Sequence, residues 1–143
     1  MSTGLPAFDR TIQETNLWLK GIEAQLDASR PHAYAALKAT LHVLRDQLPP
    51  ATALHFADQL PILLRGAYVE GWNLAGTPAG TRSGGTFAER ISEAMPPGVA
   101  VDGETAARAV FQTIRSRMDL GEVDKVMAHL PKPIRKLWLE EYV

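Results

Sequence analysis

The chain has 143 residues, a formal net charge of −1, 45% hydrophobic residues and 22% charged ones, the proportions of one globular domain able to bury its own core. So even a balance excludes nucleic acid and anionic membrane as bulk electrostatic partners. The absence of cysteine excludes disulfides, thiolate catalysis and thiolate metal ligation.

No apolar run approaches the roughly 20 residues of a membrane helix. The opening MSTGLPAFDR has no basic start followed by an apolar stretch, so no secretory signal is expected. The expectation is a cytoplasmic protein with no membrane partner.

Pro6 suits a first helical position. Phe8, Ile12, Leu19, Ile22 and Leu26 then recur at three- and four-residue steps, with Thr15 filling a gap. This predicts an amphipathic helix over residues 7–27, with Trp18 at the edge of its buried stripe. Ser29 and Pro31 open a second helix carrying Tyr34, Leu37, Leu41, Leu44 and Leu48. Pro49-Pro50 ends it and starts a third, with Leu54, Ala57 and Leu60 inward. Pro61 divides this from a short fourth helix, which Gly66 weakens and Gly71 ends.

Residues 73–85, NLAGTPAGTRSGG, hold four glycines and almost no apolar bulk, and predict a mobile loop. Thr86 and Glu89 match a capping box for a fifth helix with Phe87, Ile91 and Met95 buried. Met95-Pro96-Pro97-Gly98 is a turn. Asp102 can cap a sixth helix carrying Ala106, Ala109, Val110, Phe111, Ile114 and Met118. Asp119 can cap a seventh with Val123, Val126, Met127 and Leu130 buried. Pro131 and Pro133 start the eighth, closing on Leu137, Trp138 and Tyr142. Period-two alternation and hairpin signals are missing, so the fold class is all-α, a bundle of about eight helices.

A repeat organises these helices. Laid over each other without a gap, residues 34–73 and 104–143 share Ala36/Ala106, Ala39/Ala109, Arg45/Arg115, Leu60/Leu130, Pro61/Pro131, Arg65/Arg135 and Glu70/Glu140. Phe8-x-x-x-Ile12-x-Glu14 echoes Phe87-x-x-x-Ile91-x-Glu93. The expectation is one domain over 1–143 built from two pseudo-symmetric four-helix halves, 8–72 and 86–143, joined by the 73–85 loop. Two copies make a closed bundle rather than a solenoid.

The segments Asp9 to Asn16, Leu41 to Pro49, and Gln59-Leu60-Pro61 through Trp72 resemble a bacterial family catalogued as domain of unknown function 2267. The resemblance covers nearly the whole chain, and Leu-Pro-x-Leu-Leu-Arg-Gly through Glu70-Gly71-Trp72 is its most specific part. It implies an all-helical fold and brings no reaction, cofactor or partner with it.

The sequence does not declare what the protein does. Arg65 and Arg135 could hold a phosphate or carboxylate in their planar donor forks. Tying helix-end carbonyls is the stronger reading, because a duplicated structural tie is needed in both copies. Lys38, His42 and Arg45 lie along one line of the second helix, and Arg108, Gln112 and Arg115 repeat it. These stripes could grip a nucleic-acid backbone, though a solvated face outweighs that. The four histidines, His32, His42, His55 and His129, show no metal-site spacing. Gly80 to Thr86 leads into a helix start without the Lys-Ser/Thr of a phosphate loop. No serine, histidine and acid stand in a catalytic motif.

The reading is therefore a non-enzymatic helical protein-interaction module without cofactor or metal. It binds an unknown protein partner or itself through Trp72, Asn73, Thr81, Arg82 and Ser83. One alternative is a small anionic-ligand binder or enzyme using a cleft between the halves, with Arg65, Arg135, Arg45 or Arg115 as anion contacts. The other is weak nucleic-acid binding. A packed space between the halves would favour the first reading, and a hollow one the second.

Overall fold

The computed structural model describes residues 2–139. They form eight α-helices and no strand: α1 (Pro6–Leu26), α2 (Arg30–Gln47), α3 (Pro50–Ala57), α4 (Ile62–Val69), α5 (Gly84–Ala94), α6 (Gly103–Arg117), α7 (Leu120–Met127) and α8 (Lys132–Leu139). The expected roles of Glu140 and Tyr142 fall outside the described residues. Prolines stand in the first turn of α1, α2 and α3, where a missing N–H costs nothing.

The seventy-residue offset is written into the element bounds. Pro50–Ala57 returns as Leu120–Met127, and Ile62–Val69 as Lys132–Leu139. The turn between them returns too: the Gln59 and Leu60 amides donate to the Phe56 and Ala57 carbonyls, as those of His129 and Leu130 do to Val126 and Met127. The neighbour relations follow the same rule. α1 packs on α2, α4 and α6, while α5 packs on α6, α8 and α2. Contacts α2–α4 and α2–α3 are matched by α6–α8 and α6–α7. The remaining two strong contacts, α2–α6 and α3–α7, join counterparts to each other.

Leu37, Leu41 and Leu44 of α2 and Val110, Phe111 and Ile114 of α6 are fully buried, within one hydrophobic cluster that draws on both halves. Phe111 also stacks on Trp138, centroids 4.0 Å apart. The space between the halves is packed at this seam. α5 approaches α6 so closely that a Cβ on Gly103 would lie 1.8 Å from the Ala88 carbonyl oxygen; only glycine fits there.

Three local expectations are corrected. The buried face of α1 is Thr11, Thr15, Trp18, Leu19 and Ile22; Trp18 is 3% exposed, whereas Phe8 and Ile12 are 56% and 39% exposed. Its polar members made this face look hydrophilic, yet Thr11 Oγ1 accepts a 2.8 Å bond from the Leu63 amide and so joins α1 to α4. The echo between Phe8 and the fully buried Phe87 is therefore not kept in burial. On α3, Leu54 faces out, and Ala53, Phe56 and Ala57 face in. The fifth helix begins three residues early: Ser83 Oγ, not Thr86, caps it, accepting from the Thr86 amide at 3.1 Å.

Candidate functional site

The basic line on α2 faces inward, onto the end of α4. Lys38 Nζ meets Glu70 Oε2 at 2.6 Å. His42 Nε2 donates to the Ala67 carbonyl at 2.6 Å, and because a carbonyl only accepts, that nitrogen carries the proton. Arg45 Nη1 donates to the Tyr68 and Glu70 carbonyls at 2.9 and 3.0 Å, while Nε pairs with Asp46 at 2.8 Å. The last turn of a helix leaves carbonyls without intrahelical partners and carries partial negative charge. These three side chains answer both. Their spacing of four and three residues looked like a solvated face because nothing in the spacing shows what lies opposite.

The electrostatics follow. Lys38 holds the Glu70 carboxyl below the usual range, and Glu70 raises Lys38. Burial, with Arg45 and Lys38 near, pushes His42 down against the opposing pull of the Ala67 carbonyl. Burial also pushes the Tyr68 phenol up, and its hydroxyl donates to the Ala53 carbonyl at 2.9 Å.

Two of the other candidate anion contacts are engaged in the same style. Arg115 Nη1 donates to the Trp138 carbonyl at 3.2 Å, seventy residues on from Arg45 and Tyr68. Arg65 spans the end of α3, donating to the Leu60 and Asp58 carbonyls at 3.0 and 3.2 Å, as the structural reading expects. Arg135 is half-buried.

The five candidate surface residues differ in exposure and engagement. Trp72 is half-buried beneath the Arg45 guanidinium, which lies 5.7 Å from its ring centroid. Asn73 and Ser83 spend their side chains as caps on the Ala75 and Thr86 amides. Thr81 is buried, and Arg82 is exposed. The loop itself is tied to α2: the Ala79 amide donates to the Asp46 carbonyl and Gln47 Nε2 to the Thr81 carbonyl, both at 2.7 Å.

Beside a polar hollow of about 390 Å³ lined by Glu14, Asp58, Arg65 and Arg117, two concave surfaces stand out among the described residues. One is an apolar groove of about 470 Å³ between α1, α2 and α4, lined by Ile12, Leu19, Tyr34, Leu63, Gly66 and Ala67. Leu63 is 51% exposed, and Phe8 stands one turn before Ile12 on α1. The residues seventy positions after Gly66 and Ala67 are Lys136 and Leu137, and Leu137 is buried. At this groove the chain carries small residues at positions whose seventy-residue equivalents include a buried leucine. The other is a polar cleft of about 380 Å³ between α2 and α5. Among the described residues no group of three or more His, Asp or Glu side chains is placed to hold a metal ion, and no helix is long and apolar enough to cross a membrane.

The model of the family described as an uncharacterized conserved protein, DUF2267, matches residues 15–137, and the chain belongs to that family. No curated protein matches it.

Proposed function

We propose that this member of the DUF2267 family is a non-enzymatic protein-interaction module, cytoplasmic, whose two halves descend from a duplication and are related by an approximate two-fold axis. Its occupant is an amphipathic helix of a partner protein, laid into the groove between α1 and α4. One observation carries this reading: the groove is apolar and open, with Ile12, Tyr34 and Leu63 exposed along it and exposed Phe8 one helical turn before Ile12. Contiguous exposed apolar surface of this kind marks binding sites on soluble proteins, and a helix offers side chains at three- and four-residue steps to such a groove. The packed seam between α2 and α6 supports it further, since the chain keeps no large apolar cavity there for a substrate. The arginines engaged with carbonyls leave little for a phosphate backbone to meet, which weighs against nucleic acid. The edge formed by Trp72 and the 73–85 loop, with exposed Arg82, is the second candidate surface. Recovering complexes from expressing cells with the wild-type and Ile12→Glu chains tests the proposal. A partner helix protein should accompany the first and be lost from the second; equal recovery from both would move the surface elsewhere.

A further inference from the structure

We infer that the helix received by the groove is α4 of a second copy of the chain, so that two copies pair about a two-fold axis at Gly66. This rests on the interaction reading above and names its occupant.

Gly66 is a residue the fold itself does not need. It stands in the middle of α4 with ordinary helical backbone, where glycine is the poorest helix former after proline. A Cβ there would meet nothing within 4 Å among the described residues, so packing inside the chain does not demand its absence, as it does at Gly103. Missing volume on an open helix face suits the close approach of another backbone from outside.

The surface around it is apolar. Ile62, Gly66 and Val69 follow one another at four- and three-residue steps, with Leu63 beside them, and all four are exposed. A hollow flanked by apolar side chains on one short helix can receive a copy of itself. An antiparallel crossing at Gly66 sets Leu63 of each copy against Val69 of the other.

Charge selects the second copy. A two-fold contact brings each group near the axis onto its own equivalent, so a free charge there repels itself. α4 avoids this. Its one charged residue, Arg65, turns back to the Leu60 and Asp58 carbonyls, and Glu70, just past its end, is answered by Lys38. α8 does not avoid it: the residues seventy positions after Ile62 and Gly66 are Lys132 and Lys136, both exposed. Of the two equivalent helices only α4 can pair with itself, so association stops at a closed dimer.

Sedimentation equilibrium of the purified full chain, from about 1 µM to about 1 mM, tests this. The apolar surface is small, so the wild type should pass from monomer to dimer with a Kd of about 50 µM. Ile62→Lys, which gives α4 the charge found at position 132, should stay monomeric throughout with unchanged helical content. Gly66→Ala should weaken the dimer about tenfold while raising the melting temperature of the dilute monomer by about 3 °C. A chain that stays monomeric at about 1 mM, or a dimer that both substitutions leave intact, would overturn the inference. The interaction reading is judged apart from it: with a monomeric chain, a crosslink from position 63 to a different protein keeps the groove, and no crosslink at all removes both.

Discussion

Arg45 Nη1 lies 2.9 Å from the Tyr68 carbonyl oxygen, and seventy residues later Arg115 Nη1 lies 3.2 Å from that of Trp138. In each half a long central helix uses one arginine to close the end of the short helix packed on it. Arg45 is the more deeply buried of the two, and it also bonds the Glu70 carbonyl and pairs with Asp46. Replacing Arg45 by Ala leaves those carbonyls without their donor and should cost about 3 kcal/mol. Arg115→Ala, at a half-buried site with one carbonyl bond among the described residues, should cost about 1 kcal/mol. Urea denaturation of the two variants measures both.

His42 makes the fold sensitive to mild acid. Its pKa in the folded chain is lowered from 6.5, so the folded state binds fewer protons than the unfolded one below that value. The stability it contributes is full above about pH 6.5 and is lost as pH falls toward the folded pKa. The wild type should therefore lose stability between pH 7.5 and 5.5. His42→Gln, which can still donate to the Ala67 carbonyl, should lose less. Urea midpoints of the two chains at both pH values measure the difference.

At Gly103 there is no room for a side chain. A Cβ would stand 1.8 Å from the Ala88 carbonyl, so Gly103→Ala must push α5 and α6 apart. The expected cost is about 3 kcal/mol, read by thermal or urea unfolding.

Hydrogen exchange separates the loop's two behaviours. The Ala79 amide, bonded to the Asp46 carbonyl, should exchange slowly in the free protein, while the Gly80 and Arg82 amides, which meet no backbone carbonyl among the described residues, should exchange fast. Uniformly fast exchange across 73–85 would restore the mobile loop that its glycines predict.

Much of the fold was legible because proline, glycine and apolar spacing act locally. Pro61 and Pro131 divide the short helices where expected, and Asp102 caps α6 by accepting from the Glu104 and Thr105 amides. The first helix was misread in phase because Thr11, Thr15, Trp18 and Ile22 recur at the same steps as Phe8, Ile12 and Leu19. Spacing alone cannot say which of two overlapping stripes meets the core. Glycine content announced a mobile loop, but its anchors are backbone groups and Gln47, which composition does not reveal. The groove was invisible for a related reason: its lining comes from α1, α2 and α4 together, and spacing along one helix does not show what its neighbours leave open.

Photocrosslinking from position 63 in expressing cells tests the groove most directly. A benzoylphenylalanine placed there should yield a discrete heavier adduct, and Ala67→Leu, which puts a larger side chain into the groove, should abolish it while the chain stays folded. The same probe at position 82 should give none. An adduct from position 82 and not 63, or one from 63 that persists with Ala67→Leu, would contradict the account.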